Sequence, residues 1–248
     1  MPAADPNKDT VIREVTPGVW TFSRPFARFG VLPWGGRSTA IRLSSGDVWV
    51  LASTPLTEDT KITIDKLGPV KWIVAADAVH HLFLAEYKNA WPQAKVIGVA
   101  ALIAKKKAEG LELDGAYGHD PEDTLYGFES EIKSRYFSGY ANKDIAWLHV
   151  PTKTLIEADL LFNLPATEQY SKVKTSSKIP FIGKLDPYGG LHKRVVWSQG
   201  KDKAAMRRDA LAVAEWDFER IIPCHGDVIE GKGKAAWEAA YSRYLTLQ

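Results

Sequence analysis

Six histidines stand in this chain, at positions 80, 81, 119, 149, 192 and 225. Metal chemistry needs deprotonatable side chains converging on one point, and strand ends and loops are where folds bring them together. Three places have that character. His80 and His81 form an adjacent pair where the buried run VKWIVAA gives way to HLFLAEYKNAWP. Asp159 closes the run TLIEAD, and His225 directly follows RIIPC and precedes Gly226. Singly, each has an ordinary structural reading: neighbours on a strand face opposite ways, a carboxylate caps a helix, a lone histidine is hydrogen-bonded structure. At a strand-to-helix turn the first objection lapses, so His80 and His81 can face one site. Their joint occurrence with Asp159 and His225 at successive strand ends is the signal.

The remaining candidates read as structure. His119, in AYGHDPED, is a turn residue, and His149 ends an apolar strand and is packed. His192 follows Gly189-Gly190 and is read as structural, with a place on a pocket wall as the alternative. Cys224 adjoins His225, but strand alternation turns it away as a small buried residue. It is the only cysteine, which excludes an intrachain disulfide and fits a reducing compartment. Lys105, Lys106 and Lys107 read as a solvated helix end.

These residues must be positioned by elements that alternate along the chain. Residues 1–10 read as a disordered tail, and residues 11–248 as one domain. VIREVTPGVWTFSRP holds two extended pieces around Pro17-Gly18, and STAIRLSSGDVWVLAS a hairpin turning at Ser44–Asp47. A polar helix over 57–67 ends at Gly68-Pro69. Strand, helix, strand and helix follow to Gly110. The second half repeats this grammar: EIKSRYFSG and DIAWLHV are extended, TKTLIEADLLFNL holds a strand ending near Asp159, AAMRRDALAVAEWDFERI is an amphipathic helix, IIPCHGDVI a short strand running directly into a loop and KAAWEAAYSRYL a closing helix. Two sheets with helices outside are implied. Residues 164–200 read as irregular, a lid or pocket wall carrying Tyr170, Phe181, Tyr188 and Trp197, or alternatively an oligomer contact.

Composition removes several function classes. The 32 basic and 30 acidic residues leave a net charge of +2, too weak a field to mark nucleic acid or an anionic membrane as partner. Nine tryptophans without a repeat period read as core or pocket lining. No apolar run is long enough to span a bilayer, and MPAADPNKDT lacks the apolar core of a signal peptide. A cytoplasmic protein acting on a small molecule is the expectation.

In its order and spacing, the series TPGVW, the Ser45-Gly46 hairpin, VKWIVAADAVHH, TLIEADLLF and RIIPCHGD resembles the metallo-β-lactamase superfamily across residues 11–245. The resemblance is to a divergent branch rather than to the antibiotic-degrading enzymes. It implies a four-layer αββα sandwich with metals at the edge of two sheets. Family members carry H-x-H-x-D-H after the strand that here is WIVA. Aligned on His81, that motif places Ala76 and Ala78 at the first two histidines and His80 at the aspartate. Tyr140 falls near the later Gly-His histidine, Asp159 matches the bridging aspartate and His225 the final histidine. Ala52-Ser53-Thr54 stands where an aspartate is common. The resemblance therefore implies loss of the first metal site and a second site of His80, His81, Asp159 and His225.

Three functions follow as alternatives. The first is hydrolysis of an ester, thioester or lactone with one zinc, iron or manganese ion, with Asp159 and an oxyanion-binding Tyr140 as catalytic groups. Four protein ligands would fill a tetrahedral zinc, which argues against efficient zinc hydrolysis and favours iron or manganese. The second is a metal-free binding protein, for which Ala76 and Ala78 speak. The third is redox chemistry at a single iron.

Overall fold

The computed structural model describes residues 6–179 and 183–246. Its strands are β1 (Val11–Thr16), β2 (Val19–Arg24), β3 (Ala27–Arg28), β4 (Leu32–Pro33), β5 (Gly36–Arg42), β6 (Val48–Leu51), β7 (Val70–Val74), β8 (Lys95–Val99), β9 (Gly115–Tyr117), β10 (Ile132–Tyr136), β11 (Ile145–His149), β12 (Thr154–Glu157) and β13 (Arg220–Pro223). The helices are α1 (Pro6–Asp9), α2 (Glu58–Leu67), α3 (Leu84–Ala90), α4 (Ile103–Ala108), α5 (Gly190–Gln199), α6 (Lys203–Ala214), α7 (Gly233–Ala240) and α8 (Ser242–Leu245).

Two sheets carry the fold. The larger has the order β1-β2-β5-β6-β7-β8-β9, antiparallel through β6 and parallel beyond it. The smaller, β10-β11-β12-β13, is antiparallel until its last pair, which is parallel. Each sheet thus begins with hairpins and ends with crossovers, as the repeated grammar of the chain implies. The strands β6 (VWVL) and β11 (IAWLH) are buried along their whole length. That is what a strand covered on both faces requires, with the other sheet on one side and helices on the other. Trp49 of β6 meets Trp147 of β11 edge to face at 5.3 Å, a pin through the middle of the sandwich. Ile64 of α2 and Leu84 and Tyr87 of α3 pack against the same core. Met206 and Val213 of α6 and Trp237 of α7 cover the smaller sheet. The architecture is the four-layer αββα sandwich.

Two expectations need correction. The stretch 164–200 is not irregular throughout, because it contains the ten-residue helix α5. Gly189 is its N-cap in extended conformation, so the glycine pair opens a helix rather than breaking one. Of the residues read as a tail, Pro6–Asp9 form one helical turn closed by Thr10 Oγ1 donating to Pro6 O; residues 1–5 lie outside the described residues. So does Phe181.

The site's location follows from the topology. Strands β6 and β7 end level with one another, Leu51 beside Val74, and so do β12 and β13, Glu157 beside Pro223. The segments leaving those ends carry Ser53-Thr54, Asp77 to His81, Asp159 and His225. Ligands in α/β folds collect at carboxyl ends of parallel strands, where loops diverge and leave a crevice.

Candidate metal centre

Asp77 shapes the turn that delivers His80. Its Oδ1 accepts from the backbone N–H groups of Val79 and His80, both at 2.7 Å, and its Oδ2 accepts from His80 Nδ1 at 2.8 Å. One buried carboxylate thereby fixes both the backbone and the ring. His80 Nε2, the remaining ring nitrogen, stands 3.1 Å from His225 Nε2. His225 is fixed in the same manner, since its Nδ1 donates to Gly35 O at 2.7 Å. A carbonyl only accepts, so the proton sits on Nδ1 and the Nε2 lone pair faces the cluster. Gly35 is required there: its φ is +71° and a Cβ would collide with Gln169.

Asp159 completes the group. Its Oδ1 lies 3.3 Å from His225 Nε2 and has no hydrogen-bond donor, although the residue is buried. Its Oδ2 accepts from Asn142 Nδ2 at 2.5 Å, and its backbone carbonyl accepts from Tyr140 Oη at 2.5 Å. Asp144 takes the Asp159 N–H at 2.6 Å.

The donor set fits a metal. One ligand atom from each of His80, Asp159 and His225 lies within 4.8 Å of the others. The separations of 3.1 and 3.3 Å approach the tetrahedral edge of about 3.3 Å expected for ligands about 2.0–2.1 Å from zinc. Both imidazoles are oriented through Nδ1 by an acceptor, the usual arrangement behind ligating histidines. The orphaned Oδ1 of Asp159 supplies an anionic ligand that the protein itself does not satisfy.

Electrostatics favour positive charge at this point. Burial works against the charged form of His80, but Asp77 and Asp159 outweigh it and raise the imidazole to about 10. Burial likewise opposes the charge of Asp159, and His80 and His225 overcome it, holding that carboxyl below its ordinary range. Asp144 is pushed up by burial and by its neighbours Asp77 and Asp159. Glu157, also fully buried, rises chiefly through burial. The cluster therefore keeps one strongly ionised carboxylate at its centre, beside two that are driven toward the neutral form.

Of the four positions expected as ligands, three come together and one does not. His81 turns the other way, its Nε2 2.9 Å from Lys105 Nζ, at the N-terminal approach to α3. The Asp77 turn points one histidine inward, and the next residue in a tight turn diverges. Tyr140 stands beneath Asp159, its hydroxyl donating to the Asp159 backbone carbonyl, and it borders the smaller cavity. His192 is buried in α5, where Nε2 accepts the Phe162 N–H at 2.9 Å; it is structural. His119 is exposed in a turn and His149 is buried, as expected. The lysine run is not uniformly solvated, because Lys106 is buried and paired with Glu109. Cys224 is buried, yet it lies on the cavity wall, its Sγ 3.3 Å from Arg37 O.

Residues that the sequence reading missed build the rest. Asp77 carried a signal, an acidic residue three before a histidine at a strand end. Arg37 carried none; it is wholly buried and donates to Ser23 Oγ, to Pro223 O at 2.5 Å and to Gly226 O at 2.7 Å, with Glu168 Oε1 at 3.3 Å. It thereby ties the His225 turn to β5. The β3–β4 hairpin was likewise unread, although Gly30 between Phe29 and Val31 marks a turn. The wall of a 600 Å³ cavity beside His80 and His225 comes chiefly from this hairpin and from Val79 to Phe83, not from residues 164–200. Tyr170 serves the hairpin indirectly, its hydroxyl donating to Phe26 O. A smaller cavity of 190 Å³ adjoins Asp159, with Val195 and Gln199 on its wall.

Known structures share this architecture. The metallo-β-lactamase of Erythrobacter litoralis superposes with a TM-score of 0.62 at 16% identity, over 96% of this chain and 97% of that one. FIM-1 from Pseudomonas aeruginosa, in a mono-zinc form, gives 0.61 at 13% identity, over 97% of each chain. The metallo-β-lactamase of Hirschia baltica gives 0.60 at 12% identity, over 96% and 98%. No protein-family model and no curated protein matches the chain. The chain has the metallo-β-lactamase fold, with a candidate two-histidine, one-carboxylate metal centre at the edge of its sheets.

Proposed function

We propose that this protein is a single-metal hydrolase of small ester, thioester or lactone substrates, with His80, Asp159 and His225 holding one divalent ion. The observation that carries the reading is the convergence of these three side chains with both Nε2 atoms and Asp159 Oδ1 directed at one point. A divalent ion there would make water a usable nucleophile near neutral pH and polarise a substrate carbonyl.

With His81 turned away, three protein ligands remain rather than four. A tetrahedral ion then keeps one position open, as catalytic zinc sites do. The earlier objection to zinc hydrolysis disappears with that histidine, and the mono-zinc form known for FIM-1 supports a one-ion site on this fold. Asp77 holds the proton of His80 at Nδ1, Gly35 does the same for His225, and Asn142 steadies the far oxygen of Asp159. The apolar cavity wall limits water near the reacting bond and accepts the substrate's hydrocarbon part.

Two histidines and one carboxylate are also the set used by mononuclear iron oxygenases, which keeps an iron redox enzyme as the second reading. One experiment separates the alternatives. Purified protein is analysed for metal, stripped with chelator, reloaded with zinc, manganese or iron, and assayed on naphthyl and thiophenyl esters. Zinc-restored turnover that His80→Ala lacks is the expected result. Absence of stoichiometric binding for every ion would leave the metal-free binder; oxygen consumption with iron alone would favour the redox enzyme.

A further inference from the structure

The β3–β4 hairpin places one cation where both cavities meet. Arg28 and Phe29 line the larger cavity and the smaller one alike, so they form the partition between them. The guanidinium carbon of Arg28 lies 4.9 Å from the Trp34 ring centre and 5.3 Å from that of Phe29. Stacking on flat rings fixes the plane of a guanidinium and leaves its N–H edge free to donate. Among the described residues no carboxylate lies within ion-pair distance of it, and its side chain donates no hydrogen bond. It is half-buried, so part of its hydration has been given up, while the anion nearest in its field, Asp159, makes no ion pair or hydrogen bond with it.

The surroundings narrow the missing partner's chemistry. On one side the wall is mostly apolar, with Phe26, Phe29, Val79, Leu82 and Phe83. Phe29 and Leu82 are 81% and 71% exposed, large apolar surfaces awaiting cover. On the other side Asp159 lies within the field of Arg28. A dianionic phosphate would be repelled by that carboxylate more strongly than a monoanion would. A carboxylate matches the guanidinium fork with a single charge.

We propose that Arg28 is the specificity-determining residue of this site, selecting carboxylate-bearing substrates whose bulky apolar group fills the larger cavity. The inference rests on the preceding reading only in taking the site as one for a small-molecule substrate. The carboxylate sits at the partition on the Arg28 fork, and the apolar group lies under the hairpin against Phe83 and Leu82. The scissile bond is thereby held beside His80 and His225.

Calorimetric titration with 2-naphthylacetate and its neutral isostere 2-naphthylacetamide tests this, in chelator-stripped and in zinc-loaded protein. The expected result is at least about tenfold tighter binding of the carboxylate in both forms, a charge-assisted fork being worth that much. Arg28→Gln should bring the two probes within about twofold while leaving the amide's affinity unchanged, and Arg28→Lys should restore part of the preference. An unchanged thermal midpoint verifies the fold of each variant. Equal binding of the two probes by the native protein, or no binding of either, overturns the proposal. So does a carboxylate preference that survives Arg28→Gln, or one that exists only with zinc. Because the stripped protein holds no metal and Arg28→Gln separates the Arg28 part from that of the charged His80, failure of the hydrolase reading leaves this outcome separately decided.

Discussion

The Nε2 atoms of His80 and His225 face each other at 3.1 Å, although 144 intervening residues and two different sheets separate them. Each ring is locked from behind, one by Asp77 and the other by Gly35. Without a metal the charged His80 satisfies the pair, its Nε2–H donating to the His225 Nε2 lone pair; a metal ion would take the place of that proton. The geometry is thus a commitment to positive charge, and Asp159 Oδ1 reinforces it from 3.3 Å.

Metal binding should follow this pattern residue by residue. His80→Ala and His225→Ala are expected to lose stoichiometric zinc, whereas His81→Ala should retain it. Asp77→Ala should weaken zinc by about 10–100-fold, the usual effect of removing an orienting partner. Elemental analysis after dialysis against a zinc buffer reads all four; equal loss in His81→Ala would contradict the divergence of the two histidines.

Tyr140→Phe should leave turnover within about tenfold of the native protein. It removes a buried hydrogen bond to Asp159 O worth about 0.5–1.5 kcal/mol, not a group that touches substrate. Urea denaturation and steady-state assay on one ester are sufficient. A drop of a thousandfold in kcat with unchanged stability would restore the oxyanion role.

Arg37→Leu should destabilise the fold by about 3–5 kcal/mol, because it strands Glu168 and frees the carbonyls of Pro223 and Gly226. Glu168 keeps Arg13 at 2.9 Å, which softens the loss. Guanidinium unfolding followed by tryptophan fluorescence gives the number; a change below 1 kcal/mol would show that Arg37 does not hold the His225 turn.

Stability should fall on acidification through His192. Burial depresses this imidazole from 6.5 to about 4, since its Nε2 must stay unprotonated to accept the Phe162 N–H. Between those values the unfolded chain binds a proton that the folded chain refuses, so stability rises with pH there. The contribution is complete above pH 6.5 and is lost as pH drops toward 4, a difference on the order of 3 kcal/mol. His192→Leu should flatten the dependence of the urea midpoint between pH 4 and 6.5. An equally steep profile in that variant would assign the effect elsewhere.

The sequence by itself determined the layers. Fully apolar strands such as VWVL and IAWLH need cover on both faces, and hairpins followed by strand–helix alternation build two sheets, each antiparallel first and parallel last. It also placed Asp159 and His225 at strand ends, where period and punctuation are legible. Tertiary structure decided what those ends do. Whether His80 or His81 faces the centre depends on a turn set by three bonds to Asp77, and a one-residue difference has no periodic signature inside a turn. The partners that finish the centre come from far along the chain: Gly35 and Arg37 from β5 and its approach, Asn142 from the loop before β11. α5 escaped notice because a glycine pair that opens a helix looks the same in sequence as one that ends it. The candidate positions were thus readable from the sequence, but only packing brought three of the four together and turned His81 away.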